Sequence, residues 1–137
     1  MADLVETAVQ AGMFNTLLKV VEATDLVDLL KSPGPFTLFA PVDAAFERMP
    51  EGALDKLLQD SPRLKKILTY HIVSGDVRSD NFIEIDEAPT IEGSVLVIDS
   101  SNGYKVNQAI VLQPDILADN GVIHVIDSIV MPAMIEF

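Results

Sequence analysis

Through the first third of the chain, apolar residues recur every three or four positions. That is the rhythm of helices with one buried face. Leu4, Val5, Ala8 and Val9 share a face, Asp3 with Glu6 has the spacing of a capping box, and Gly12 can end the helix. Phe14, Leu17, Leu18 and Val21 repeat the pattern, and Asp25 precedes a short third helix carrying Leu26, Leu29 and Leu30. Ser32-Pro33-Gly34-Pro35 breaks it. Phe36 to Ala40 is then an apolar run ahead of a proline, which predicts a buried strand. Asp43 opens a short helix with Ala44, Ala45 and Phe46, Met49-Pro50-Glu51-Gly52 predicts a turn, and Leu54, Leu57 and Leu58 form another stripe. Ser61-Pro62 predicts a helix start, because serine caps free amides and proline at the first position lacks the donor that would go unpaired. Leu64, Ile67 and Leu68 line that helix, which should end near Tyr70 and run into extended His71-Ile72-Val73, with Ser74-Gly75-Asp76 as a turn.

The last third changes to short apolar runs. Val95 to Ile98 reads as a strand, and Asn102-Gly103 favours a tight hairpin returning through Tyr104-Lys105-Val106. Ile110-Val111-Leu112 and Ile116-Leu117-Ala118 follow as separate strands. Between them Pro114 cannot donate a ladder bond, so Gln113-Pro114-Asp115 should be an edge or a loop. The segment from Asp119 to Pro132 reads as a turn, a buried strand with one embedded histidine, a second short strand at Ile129-Val130 and a proline stop. Connections among these strands are too short for crossover helices, which argues for antiparallel or mixed pairing. Helices first and strands later give an α+β domain, and 137 residues suit one domain over 1–137.

Composition narrows the classes of partner. Hydrophobic residues are 49% and charged ones 22%, a globular balance. A net charge of −12 opposes nucleic-acid phosphates and anionic membranes, and favours solubility or a basic partner. The chain has no cysteine, so disulfide and thiolate chemistry are excluded. No stretch approaches the roughly 20 apolar residues of a membrane span. Met1 to Glu6 is acidic and lacks the basic start of a secretory signal, which leaves two readings open: a cytoplasmic protein, or an exported one whose signal has been removed.

Catalytic patterns are sparse. Gly75, Gly93, Gly103 and Gly121 are isolated, so no phosphate-cradling loop is expected. Two histidines without cysteine leave little for a metal, and no metal or cofactor is expected. Ser74 and Ser128 lack the setting of a nucleophile, and the pairs Glu84 with Asp86 and Asp115 with Asp119 read as solvated loop charge. An enzyme is not expected. Asp43 reads as a helix-start carboxylate and Phe46 as an anchor in the core. Tyr70 and His71, at a helix-to-strand junction, read first as a satisfied structural pair and second as a partner contact. His124, between Ile123 and Val125, reads as a core histidine whose protonation would cost stability. Asp115 beside Ile116 would offer a partner one charge and one apolar contact, against the plainer reading of a turn before a strand.

Three blocks of the chain, in order, resemble the fasciclin (FAS1) domain. Thr37 to Phe46 is similar to its first conserved block, Leu68 to Gly75 to its central Tyr-His block, and Asn120 to Pro132 to its last. Pro41, Asp43, Phe46, Gly121 and His124 are the motif positions, and the resemblance covers essentially the whole chain. It implies a β-sandwich or wedge of two sheets with N-terminal helices packed alongside, and looks most like the small single-domain bacterial members. It implies a secreted, periplasmic or cell-surface adhesion module, without enzymatic activity or cofactor. Its partner would be a protein or glycan at a surface, and the state a monomer. Animal members imply contact sites at Asp115 with Ile116 and at Tyr70 with His71. A small-molecule or lipid-binding domain, with an apolar groove between helices and sheet, is the alternative. Many members carry Thr or Ser where this chain has Val42, and valine cannot cap, which leaves Asp43 that task.

Overall fold

A computed structural model describes residues 3–48, 52–78, 87–100, 103–107 and 109–130, with the side chains of Leu54 and Ser61 also excepted. Outside these lie Met49-Pro50-Glu51 of the predicted turn, the pair Glu84 and Asp86, Ser101-Asn102 of the predicted hairpin, and Pro132.

Among the described residues the helical rhythm gives six helices: α1 (Leu4–Ala11), α2 (Asn15–Ala23), α3 (Val27–Lys31), α4 (Asp43–Glu47), α5 (Ala53–Leu58) and α6 (Ser61–Thr69). Asp3 caps α1 by accepting from the Glu6 N–H at 2.9 Å, and Gly12 closes it at φ 75°. Leu4 and Ala8 of the predicted face are buried, but Val9 is exposed. On α5 Leu57 is buried and Leu58 exposed. The cap of α6 falls one residue earlier than predicted: Asp60 accepts from the Arg63 N–H, and Ser61-Pro62 are already helical. A carboxylate caps as well as a hydroxyl and adds a negative charge favoured at the helix N-terminus.

Among the described residues seven strands follow the order β2-β1-β7-β6-β5-β4-β3. They are β1 (Phe36–Pro41), β2 (Ile72–Ser74), β3 (Glu87–Pro89), β4 (Val95–Asp99), β5 (Lys105–Val106), β6 (Ala109–Ala118) and β7 (Gly121–Ile126). β1 and β7 run parallel, with Phe39 beside His124, and the other pairings are antiparallel, so the ladder is mixed as predicted. The two strands read around Pro114 are one strand, β6. It keeps Pro114 by shifting register between Val111 and Gln113 and again before Ile116, with Asp115 at φ 61°. A bulge spares the ladder the amide that proline lacks. β5 pairs only as far as Ile110, so among the described residues the second half of β6 has one edge without a strand, the edge half of the expectation. Ile129-Val130 is not a strand, because the Val130 N–H is spent on the His71 ring at 3.2 Å.

The long β6 belongs to both halves of the ladder, and an isolated bridge between Val73 and Thr90 joins its two ends. The strands thus form a wedge of two layers closed on both sides. Between the layers pack Phe39, Tyr70, Leu96, Ile98, Val106 and Ile126. The helices cover the other face of β1 and β7 with a second core around Leu4, Phe14, Leu17, Leu38 and Ile123. Gly121 sits against the Phe36 backbone of β1, where an added methyl group would run into the Phe36 carbonyl.

Candidate functional site

The side chains singled out in the sequence divide between the interior and one surface. Tyr70 and His71 sit where α6 hands over to β2, and are 4% and 1% exposed. The Tyr70 hydroxyl donates to the Val95 carbonyl at 2.7 Å and accepts from the Asn107 side-chain amide at 3.0 Å. Asn107 in turn mimics a strand residue. Its Oδ1 accepts from the Val97 N–H, its own N–H donates to the Val97 carbonyl, and its φ is 54°. Tyr70 therefore pins the end of α6 to β4.

His71 points the other way, toward the helices. Its Nε2 accepts from the Val130 N–H, so Nδ1 holds the proton and donates to the Ile67 carbonyl at 2.8 Å. Complete burial pushes its pKa down to about 4, against a smaller opposing effect of the Ile67 bond. It borders a cavity of about 10 Å³ among Val20, Phe46, Leu64 and Ile129, space for about one water molecule. Both side chains are turned inward and hydrogen-bonded within the chain. Phe46 is half-buried against the helical core. Pro41 is buried at the end of β1.

His124 has the opposite tautomer. The Asp115 N–H donates to its Nδ1 at 3.1 Å, so Nε2 carries the proton and donates to the Val77 carbonyl at 2.6 Å. The ring is tilted 31° against Phe39, with centroids 5.3 Å apart. Burial lowers its pKa. The Val77 bond and the charges of Asp115 and Asp76 act in the opposite sense. Thr37 completes the arrangement, donating to the Gly75 carbonyl and accepting from the Val77 N–H. Two buried side chains thus hold the 75–77 segment and the Asp115 bulge against the sheet. Asp115 itself is exposed, while Ile116 is half-buried against the helical core. Of the predicted contact residues, only Asp115 is brought fully to the surface.

Asp43 departs from its expected role. It stands in the first turn of α4, yet its carboxylate accepts from the Thr16 N–H at 2.8 Å and the Asn15 side chain at 3.3 Å, at the start of α2. The Asp43 N–H donates back to the Met13 carbonyl. The correction has a physical cause: Phe14 and Val42 both stand at N-caps and neither has a side-chain acceptor, so one carboxylate serves the neighbouring helix. The Thr16 bond holds the Asp43 carboxyl below its ordinary range.

Asn120 is a residue whose weight the sequence does not reveal. Its Oδ1 accepts from the Leu4 N–H, its Nδ2 donates to the Leu30 and Ser32 carbonyls, and its own carbonyl accepts from the Phe36 N–H. One turn amide thereby joins α1, α3 and β1. Its only signal is the Asn-Gly pair, which reads as a turn. Asn107 and Thr37 are missed for the same reason: each bonds to a segment remote in sequence. Among the described residues, no buried side-chain nitrogen or oxygen lacks a partner. No group of three or more histidine, cysteine or carboxylate residues there is placed to hold a metal, and no helix is long and apolar enough to cross a membrane.

Comparison with known proteins agrees with this geometry. The family profile described as "Fasciclin domain" matches residues 12–132. An uncharacterised protein of Synechocystis is 46% identical over 131 residues, spanning 96% of this chain and 98% of the relative. Immunogenic protein MPB70 of Mycobacterium bovis is 36% identical over 127 residues, 92% of this chain and 61% of that protein. Human periostin is 35% identical over 134 residues, 96% of this chain but 16% of periostin. Among solved structures, a FAS1 domain pair from the insect cell adhesion molecule Fasciclin I superposes with a TM-score of 0.68. It covers 90% of this chain and 47% of the other at 20% identity, a likeness of fold.

Proposed function

Since this chain belongs to the fasciclin domain family, we propose that it is a non-enzymatic adhesion or protein-interaction module that meets its partner at its exterior. The observation that carries this reading is the fate of its polar side chains. Tyr70, His71, His124, Thr37 and Asn107 all spend their hydrogen bonds on backbone or on one another, while Asp115 is held outward by an inward-facing ring. General acid–base work needs a group free to exchange its proton with a substrate, and both histidines are engaged at both nitrogens. A drug-sized ligand needs a pocket of about 300 Å³ or more. The apolar cavity between helices and sheet beside His71 holds about 10 Å³, which weighs against an apolar groove there, while the hollow of about 320 Å³ among Glu22, Asp25, Val27 and Asp28 is open and acidic.

The partner in this reading is a protein or glycan displayed on a surface, and the protein acts in a secreted, periplasmic or cell-surface setting. The 1–137 unit acts as one fasciclin domain, and Asp115 with Ile116 forms the contact. Pull-down from surface or matrix extracts, wild type beside Asp115→Ala, tests it. The expected result is saturable retention that falls by about tenfold in the variant, as for loss of one interface charge. Retention unchanged by the substitution removes the Asp115 contact. Turnover of a generic ester or glycoside by the pure protein removes the non-enzymatic reading.

A further inference from the structure

A half-buried antiparallel sheet ordinarily turns polar residues to water. The outer face of the second half of the ladder does not. On β4, Leu96 and Ile98 fill the core, while Val95 and Val97 on the opposite face are 42% and 52% exposed. On β6, Ile110 and Leu112 are 46% and 56% exposed. Between these pairs lies only the short β5, whose Lys105 registers with Asp99 on one side and Ile110 on the other. A strand apolar on both faces has the composition of one covered on both faces. Here the described residues cover one.

Charge decides what suits the other. Glu87 registers beside Val97, and Asp99 ends the same strand. Glu92, nearby in the β3–β4 turn, accepts from the Ser94 N–H. Lys105 is the lone opposing charge among the residues named. Two copies set face to face would bring these carboxylates together on chains that each carry −12. An anionic membrane is repelled for the same reason. A partner with apolar side chains flanked by basic ones meets both features of the surface.

We propose that the outer face of β4, β5 and the first half of β6 docks a protein segment whose apolar side chains are flanked by lysine or arginine. This rests on the reading of the chain as an interaction module, and adds a second surface beside the Asp115 contact, with the chemistry of the partner it takes. The test is amide chemical-shift mapping with a short peptide alternating leucine and lysine, beside an equal-length peptide of leucine and glutamate. The expected result is shifts concentrated on 95–99, 105–107 and 110–112 with the basic peptide, weakened by salt. Val97→Thr combined with Leu112→Thr should weaken binding by about tenfold while leaving thermal unfolding unchanged, because both side chains are exposed. No shifts, equal shifts with the glutamate peptide, or binding indifferent to the substitutions overturn the proposal. Self-association through this face in sedimentation overturns it too, by making a second copy the occupant. Shifts centred on the Asp115 bulge overturn this face while leaving the interaction-module reading in place.

Discussion

His124 and Asp115 meet through a backbone bond: the Asp115 N–H donates to Nδ1 of the imidazole at 3.1 Å, nine residues apart in sequence. The exposed carboxylate is thus aimed by a ring with no surface of its own. His71 uses its nitrogens in reverse, with Nε2 accepting from Val130 and Nδ1 donating to Ile67. Either ring would have to give up an accepted bond on taking a second proton.

The two tautomers can be observed directly. Nitrogen-15 spectra of the rings should show the proton on Nε2 of His124 and on Nδ1 of His71 at pH 7. His71 should titrate near 4, and His124 below the ordinary 6.5. Because each folded pKa lies below its unfolded value, the unfolded chain binds more protons as pH falls through 6.5. Stability is therefore full above that pH and is lost progressively beneath it, down to about 4 for His71. The loss assigned to His71 is on the order of 3 kcal/mol. A ring that titrates between 6 and 7 in the folded protein contradicts this arrangement.

Asp43 bridges two helices, and its removal should be felt at the helix it does not belong to. Asp43→Ala should cost about 1–2 kcal/mol, the usual value of a lost cap. Amide exchange should accelerate at Thr16, whose N–H loses its acceptor, and not at Ala45, whose N–H bonds to the Val42 carbonyl. The carboxyl is held below its ordinary range, so this contribution is present above about pH 4 and fades as pH falls through the folded value. Faster exchange in α4 with α2 unchanged would return the cap to its own helix.

Periodicity made the helices and the mixed ladder legible, because a side-chain spacing of three or four residues, or an apolar run before a turn, is local information. The burial of His124 was legible for the same reason: it stands in an apolar run. What escaped was non-local. Nothing near Asp43 reports that Phe14, 29 residues earlier, leaves α2 without a side-chain cap. Pro114 looked like a break between strands because the bulge that accommodates it depends on the partner strand β7. Ile129-Val130 looked like a strand, and only the position of His71 shows where the Val130 amide goes. Tyr70 and His71 share one motif yet serve opposite cores, a division set by the turn between α6 and β2.

Removing one oxygen from Tyr70 separates architecture from bulk. Tyr70→Phe keeps the ring in the core between the layers but leaves the Val95 carbonyl and the Asn107 amide without their partner. The expected cost is about 1–3 kcal/mol by denaturant unfolding. Tyr70→Ala should cost about 3–5 kcal/mol through the cavity it leaves. Asn107→Ala should reproduce much of the Tyr70→Phe loss, and the double variant should lose less than the two combined, since they share one network. Strict additivity would disconnect them.

Two glycines give opposite answers to the same substitution. At Gly12 an added methyl group meets nothing within 4 Å, but φ is 75°, a region costly to other residues. Gly12→Ala should therefore cost about 1 kcal/mol, all of it backbone conformation. Gly121 has no such φ, yet its new methyl group would run into the Phe36 carbonyl. That carbonyl belongs to β1, which pairs in parallel with β7 from Phe36↔Gly121 to Pro41↔Ile126. Relief requires β1 and β7 to separate at their first pair, where the Asn120 carbonyl also holds the Phe36 N–H. Backbone cannot rotate aside as a side chain can, so Gly121→Ala should cost about 3 kcal/mol or more. Thermal unfolding of both variants checks the contrast. Equal destabilisation would mean that β1 and β7 yield more readily than their spacing implies.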